Sequence, residues 1–264
     1  MMASGLLRPG PSLVRGTRLD PAHGVARRLI PLLLLVLVPL VLLGWLAMQT
    51  VHAVQERLEQ SGLIEEYQLV GPRGPACLRM VIVVDVSGSM SEFAVPRDRA
   101  LDRLFTWLGT NLRSGDELAV VDFAEEAATR VPATDYRGAR LTGPAGAVDG
   151  AGTLLLPPVT EVARLGATDC DVELMFISDA LITDLPNTAD DGRRLLTNNG
   201  VHGIHLLVPG DDMEISDQWR VAFPAAPPIR FDGNDADETA LTLGRAVAAL
   251  TGQRLERRPE PTNT

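Results

Sequence analysis

The stretch LRMVIVVDVSGSM, Leu78 to Met90, decides the fold. Its first half is an unbroken run of β-forming apolar residues, the pattern of a strand buried on both faces. Such a strand belongs to a mostly parallel sheet covered by helices on both sides. Its second half ends the strand on one carboxylate, Asp85, followed by the hydroxyls of Ser87 and Ser89 around Gly88. In open parallel sheets, ligands bind at the carboxyl ends of the strands. Asp85, Ser87 and Ser89 therefore stand where a site is expected.

Downstream, helix and strand patterns alternate. PRDRALDRLFTWLGTNL carries Ala100, Leu101, Leu104, Phe105 and Leu108 at helical spacing, with Pro96 near the start where proline is tolerated. SGDELAVVDFA reads as a turn and a second strand. ATRVPAT reads as a short edge strand, because Pro132 suits an edge better than a centre. GTLLLPPVTEVARLG predicts a helix beginning either near Thr153 or after the prolines. CDVELMFISD is a further strand, LPNTADDGRRLLTNNG a helix, VHGIHLLVP a strand and IRFDG a last strand. DADETALTLGRAVAALTG is an amphipathic helix capped by Asp235 or Asp237. The alternation predicts an α/β domain with a doubly wound, mostly parallel sheet.

Upstream, Leu29 to Met48 is a run of twenty residues without a charge. As a helix it spans about 30 Å, the thickness of a hydrocarbon core. It predicts one N-terminal transmembrane helix, with Pro39 kinking its middle and Trp45 at an interface. Arg8, Arg15, Arg18, Arg27 and Arg28 precede it against Asp20 alone, giving residues 1–28 a charge of +4 out of a net −10. The rest of the chain is therefore at −14. The positive-inside rule places the N-terminus in the cytoplasm and the acidic domain outside it, in a single-pass protein of the plasma membrane. A cleaved signal peptide, cut after the VHA of Val51 to Ala53, is the alternative. The expected organisation is a basic cytoplasmic tail over 1–28, a transmembrane helix over 29–48 and a stalk or linker over 49–76. The folded domain follows over 77–252, and a disordered tail over 253–264.

Composition narrows the chemistry. An acidic domain lacks the basic clusters that replace phosphate counterions, which argues against nucleic-acid binding. All 24 basic residues are arginine, consistent with GC-rich bacterial coding. Without lysine there is no P-loop lysine and no Schiff base. Position 87 is serine where an aspartyl-phosphate hydrolase needs a second aspartate, and VSGSM is not the Gly-x-Ser-x-Gly of a serine hydrolase. These absences argue against an enzyme and leave no catalytic residue to name. His202 and His205 point to opposite faces of a strand, so a shared zinc is not expected. Asp122, Glu125 and Glu126 read as a solvated strand end near the site, with a part in shaping the ligand rim as the alternative. Two serines at i and i+2 in a turn, by contrast, can aim both hydroxyls at one point. Mg²⁺ or Mn²⁺ asks for about six oxygens near ~2.1 Å.

These residues resemble the von Willebrand factor type A (VWA) domain family. Its metal-ion-dependent adhesion site (MIDAS) combines Asp-x-Ser-x-Ser with a later Thr and a final Asp. Asp85, Ser87 and Ser89 match the first run, Thr153 in DGAGTLLLPPV the threonine, and Asp179 at the end of LMFISD the last carboxylate. The resemblance covers about Leu78 to Gly252. It departs from the family in having Ala180 where glycine usually follows that aspartate, and Asp184 in ITDL is the alternative last carboxylate. The resemblance implies a Rossmann-like fold and a Mg²⁺ or Mn²⁺ ion. Ser87, Ser89 and Thr153 would bind the ion through hydroxyls, with Asp85 and Asp179 acting largely through waters. It also implies a protein partner, or a surface polymer, that offers an Asp or Glu carboxylate to the metal. Some bacterial members instead serve as non-catalytic subunits beside AAA-type ATPases or chelatases. In the family the first and fourth strands are neighbours, which would bring Cys77 and Cys170 together at the end opposite the metal. A disulfide there and two buried free thiols are the alternatives.

Overall fold

The computed structural model describes residues 62–144 and 150–259. The predicted tail 1–28, the transmembrane segment 29–48 and the stalk as far as residue 61 lie outside the described residues. Among the described residues no helix is long and apolar enough to cross a membrane.

The strands are β1 (Tyr67–Val70), β2 (Leu78–Asp85), β3 (Glu117–Phe123), β4 (Ala127–Asp135), β5 (Asp171–Ile177), β6 (Gly203–Pro209), β7 (Ile229–Phe231) and β8 (Arg254–Arg257). The helices are α1 (Ala94–Asn111), α2 (Leu156–Arg164), α3 (Ala189–Asn198), α4 (Asp217–Ala222) and α5 (Ala236–Thr251). Six strands form the central sheet in the order β4-β3-β2-β5-β6-β7. All neighbours are parallel except β3 and β4. This is the mostly parallel, doubly wound α/β architecture that the alternation predicts. The proline-bearing segment is the edge strand β4, with Pro132 exposed and the pairing shifted on either side of Val120.

β2 is central and buried along its whole length. Its side chains alternate between two apolar layers. Met80, Ile82 and Val84 face α1 and α5, where Leu101, Leu104, Leu243 and Val247 meet them. Val81 and Val83 face the opposite layer, with Val159 and Val162 of α2 and Trp219 of α4. Each fully buried aliphatic side chain of this kind contributes about 1.5–3 kcal/mol. α2 starts at Leu156, with prolines in its first turn, where a missing N–H costs nothing. α5 is capped by Asp235, whose side chain accepts hydrogen bonds from the N–H groups of Asp237 and Glu238. Gly252, at φ +66°, ends the helix in the left-handed conformation that glycine accepts without penalty.

Two boundaries differ from the sequence reading. Residues 67–70 and 254–257, assigned to stalk and tail, pair antiparallel as β1 and β8, with Tyr67 opposite Arg257 and Val70 opposite Arg254. The indole N–H of Trp107 donates to the Tyr67 carbonyl at 2.8 Å, and the Leu69 N–H donates to Asn111 Oδ1 at 2.9 Å. These bonds tie the pair to α1, so the folded unit extends beyond 77–252 at both ends.

At the N-terminal end of the sheet, Cys77 and Cys170 form a disulfide with Cα atoms 4.6 Å apart. Of the two alternatives, the bridge is the one found. It stands beside a closed polar knot. Asp116, fully buried, receives a two-pronged bond from Arg73 at 2.5 and 2.7 Å and the Leu78 N–H at 3.0 Å.

Candidate metal centre

At the other end of the sheet, β2 delivers Asp85 with no exposed surface. Its Oδ1 accepts the Ser87 N–H at 2.9 Å, which closes the chain into an Asx-type turn. Its Oδ2 accepts the hydroxyl of Ser178 at 2.6 Å. The chain then enters a 3₁₀ turn, Gly88–Phe93, that runs directly into α1. This tight path brings the Ser87 and Ser89 hydroxyls to 3.2 Å from each other, the convergence expected from their i, i+2 spacing. Ser87 is buried and Ser89 exposed, so the pair opens towards solvent on one side.

The loop that carries Thr153 is drawn onto this turn. The Gly88 N–H donates to the Gly150 carbonyl at 3.2 Å, and a Cβ on Gly150 would lie 3.5 Å from the Val86 carbonyl oxygen. Thr153 is buried, and its carbonyl accepts the N–H of Thr183, from the loop after β5, at 3.1 Å. That loop carries Asp179, also buried. Its Oδ1 accepts the Leu181 N–H at 3.0 Å, while its Oδ2 is buried with no hydrogen-bond partner.

The two carboxylates feel each other. Burial pushes the Asp85 carboxyl above the ordinary carboxylate range. Hydrogen bonds from Ser178 and Ser87 oppose the shift, and the charge of Asp179 adds to it. A buried oxygen without a donor beside a second buried carboxylate is costly unless a cation or its waters complete the site. Among the described residues no three His, Cys, Asp or Glu side chains converge. The cluster is instead two carboxylates with hydroxyls, a hard-oxygen set that suits Mg²⁺ or Mn²⁺ and not the thiolate- or imidazole-seeking metals.

Asp184, the alternative last carboxylate, has another task. Its two oxygens accept the N–H groups of Leu155 at 2.5 Å and Leu156 at 3.0 Å, satisfying the start of α2 from outside the helix. Ala180 holds φ +66°, the only non-glycine residue at positive φ among those described. The backbone thus keeps a conformation suited to glycine although the residue is alanine.

Two neighbours of the candidate site, Ser178 and Arg97, escaped the sequence reading, and a third residue, Asp122, was read wrongly. Ser178 lies beside Asp85 because Ile177 pairs with Val84. A hydroxyl next to the carboxylate that ends a strand was the available signal. Arg97 is buried, and its Nη1 donates to the Asp85 carbonyl at 2.8 Å. Its signal was an arginine three and four residues ahead of the apolar Ala100 and Leu101, on the same helix face. Asp122 requires a correction. It is fully buried, not a solvated strand end, and Arg130 Nη1 stands 3.8 Å from its Oδ1. Arg130 also grips Asp98 through both terminal nitrogens, at 3.3 and 3.1 Å. Glu125 and Glu126 are exposed, as expected.

No family model and no curated protein matches the chain. Solved structures do match. The mussel byssus proximal thread matrix protein 1 with a zinc-occupied MIDAS motif is 13% identical, with a TM-score of 0.48 over 69% of this chain and 50% of that one. The ArnB paralog VWA2 from Sulfolobus acidocaldarius is 17% identical, with a TM-score of 0.47 over 65% and 45%. The von Willebrand factor type A protein from Catenulispora acidiphila is 18% identical, with a TM-score of 0.47 over 67% and 43%. The chain thus spans half or less of the length of each. Likeness at this level bears on neither ligand nor partner.

Proposed function

We propose that this chain is a membrane-anchored, extracytoplasmic binding module of the VWA type, which takes a carboxylate of a protein ligand, or of a surface polymer, at a Mg²⁺ or Mn²⁺ ion. Ser87, Ser89 and Thr153 would hold the ion through hydroxyls, and Asp85 and Asp179 through bound waters. Bound mainly by neutral oxygens, the ion would supply an electron-poor position for an anionic ligand. The observation that carries this reading is the Asp179 oxygen, buried without a donor beside the buried Asp85.

The protein's own part is positioning. Asp85 fixes the Ser87 backbone, Ser178 fixes Asp85, and Arg97 holds the carbonyl at the strand end. The hydroxyls are thereby set before any ligand arrives, which spares the entropy of ordering them on binding. The anchor and its orientation rest on the apolar run 29–48 and the arginines ahead of it.

Calorimetric titration of Mg²⁺ and Mn²⁺ into the full chain in mild detergent, beside Asp85→Ala, tests the proposal. Binding by the parent that is lost in the variant supports it. A folded parent that takes up neither ion overturns it. A reporter fused to the C-terminus tests the topology, and activity on the cytoplasmic side would refute the placement.

A further inference from the structure

One edge of the central sheet is only half closed. β5 runs beside Gly203–Leu207 of β6, but β7 joins the other side only at Leu207–Pro209. The reason lies in the sequence. Pro227 and Pro228 precede Ile229, and a proline has no N–H to give to a ladder. β7 therefore starts late, and Gly203–Leu206 keeps an edge that no strand covers among the described residues. Such an edge is a template for an extended chain.

The two faces beside this edge differ. Ile204 points into the layer that holds α3 and α4. There a cavity of about 280 Å³ opens beside Gly203–His205, walled by Leu196 of α3 and by Ala222, Phe223 and Ala226 at and after the end of α4. Its walls are fixed before anything enters. The Trp219 indole N–H donates to the Ala226 carbonyl at 2.8 Å, and the Trp219 and Phe223 rings pack with centroids 4.8 Å apart.

Gly203 and His205 point to the other face. Glu173, opposite Gly203 in the register, lies across it, and a Cβ on Gly203 would run into Glu173 Oε2. That oxygen is 3.4 Å from His205 Nε2. Asp171, two residues back on the same face of β5, is 3.8 Å from His202 Nε2. Among the described residues no arginine pairs with either carboxylate. One face of the open edge is thus hollow and apolar, and the other is acidic.

We propose that an extended segment of a partner protein adds to β6 at Gly203–Leu206. It seats an apolar side chain in the cavity and turns an adjacent arginine or lysine towards Glu173 and Asp171. Successive side chains of a strand point to opposite faces, so the two demands fall on neighbouring residues. This surface needs no metal and lies at the end of the sheet opposite Asp85 and Asp179.

The test is selection of a phage-displayed random peptide library on the full chain, immobilised in mild detergent with EDTA present, with counter-selection on Ala225→Trp. Ala225 is exposed at the cavity rim, where an indole can fill the mouth without displacing the core. The expected result is enrichment of peptides in which leucine, isoleucine, valine or phenylalanine alternates with arginine or lysine. No peptide that separates the parent from Ala225→Trp would overturn the proposal, and so would enriched peptides without that alternation. A selected peptide, made synthetically, should slow amide exchange at Gly203–Leu206, and unchanged exchange there would refute strand addition. Asp171→Asn combined with Glu173→Gln should weaken the same peptide about tenfold, and an unchanged affinity would refute the acidic contact. A parent that dimerises in sedimentation while Ala225→Trp stays monomeric would overturn the proposal in favour of pairing between two copies of this chain.

Discussion

The two ends of the central sheet solve opposite problems. At the N-terminal end the buried charges are matched. Asp116 takes bonds from Arg73 and Leu78, Arg79 pairs with Glu117 at 2.5 Å, and the Cys77–Cys170 bridge joins β2 to β5. At the C-terminal end, one carboxylate oxygen lacks a donor, a second carboxyl is pushed towards its neutral form, and Ala180 sits at positive φ. The same β2 and β5 supply both ends. One end is spent on holding the strands together. The other keeps a buried oxygen unmatched among the described residues, as sites that trade stability for function tend to do.

The contrast can be broken from either side. Replacing both Cys77 and Cys170 with alanine should cost the most, about 4–5 kcal/mol in chemical denaturation on the chain-entropy account, because the bridge closes 93 residues. Cation affinity should not change, and a large drop would mean that the two ends are coupled.

Asp85→Asn comes next. It should lower cation affinity more than about 100-fold, near 3 kcal/mol in calorimetry. It should also raise the melting temperature in EDTA, because a neutral amide removes the cost of burying the charge. A variant less stable than the parent in EDTA would refute the idea that Asp85 is a burden when no cation is bound.

A smaller effect is graded by pH. The folded Asp85 has a raised pKa, so between its ordinary value and the folded one the folded chain keeps a proton that the unfolded chain has released. Stability of the metal-free chain should therefore fall as pH rises through that window and then level off. Cation affinity should climb over the same window, because proton and ion compete. Melting curves and titrations at stepped pH read both slopes, and slopes of equal sign would contradict the assignment.

The smallest effect compares two buried alanines. Ala180→Gly should cost less than Ala119→Gly by about 1–2 kcal/mol, since only position 180 gains from relief of the left-handed conformation. Equal costs in denaturation would mean that Ala180 carries no strain.

The sequence exposed those parts that local pattern determines. β2 was legible because an apolar run buried on both faces has few other readings. The α5 cap was legible because Asp235 acts within its own turn. The Ser87–Ser89 convergence followed from spacing alone. What stayed hidden depends on which segments meet. β1 and β8 are four residues each, the first half-buried at three positions and the second exposed at three, and they exist only through pairing across nearly the whole domain. Ser178 became a partner of Asp85 only once β5 was set beside β2. Asp122 looked solvated because charge at a strand end usually is. Its burial depends on Arg130 coming from the neighbouring edge strand.

The place where the chain enters the domain has a mechanical meaning. Tension applied ahead of β1 would first draw Ile64 out of the core and break the bond from the Arg258 N–H to the Glu66 carbonyl, and then peel Tyr67–Val70 away from β8, one pair at a time. Unravelling would then meet Arg73, gripped by Asp116, and stop at Cys77, where the covalent link passes the pull sideways into β5 at the middle of the sheet. Beyond that point the force is shared by two central parallel strands, and the candidate site at their far ends, at Asp85 and Asp179, is shielded from a pull on Tyr67–Val70.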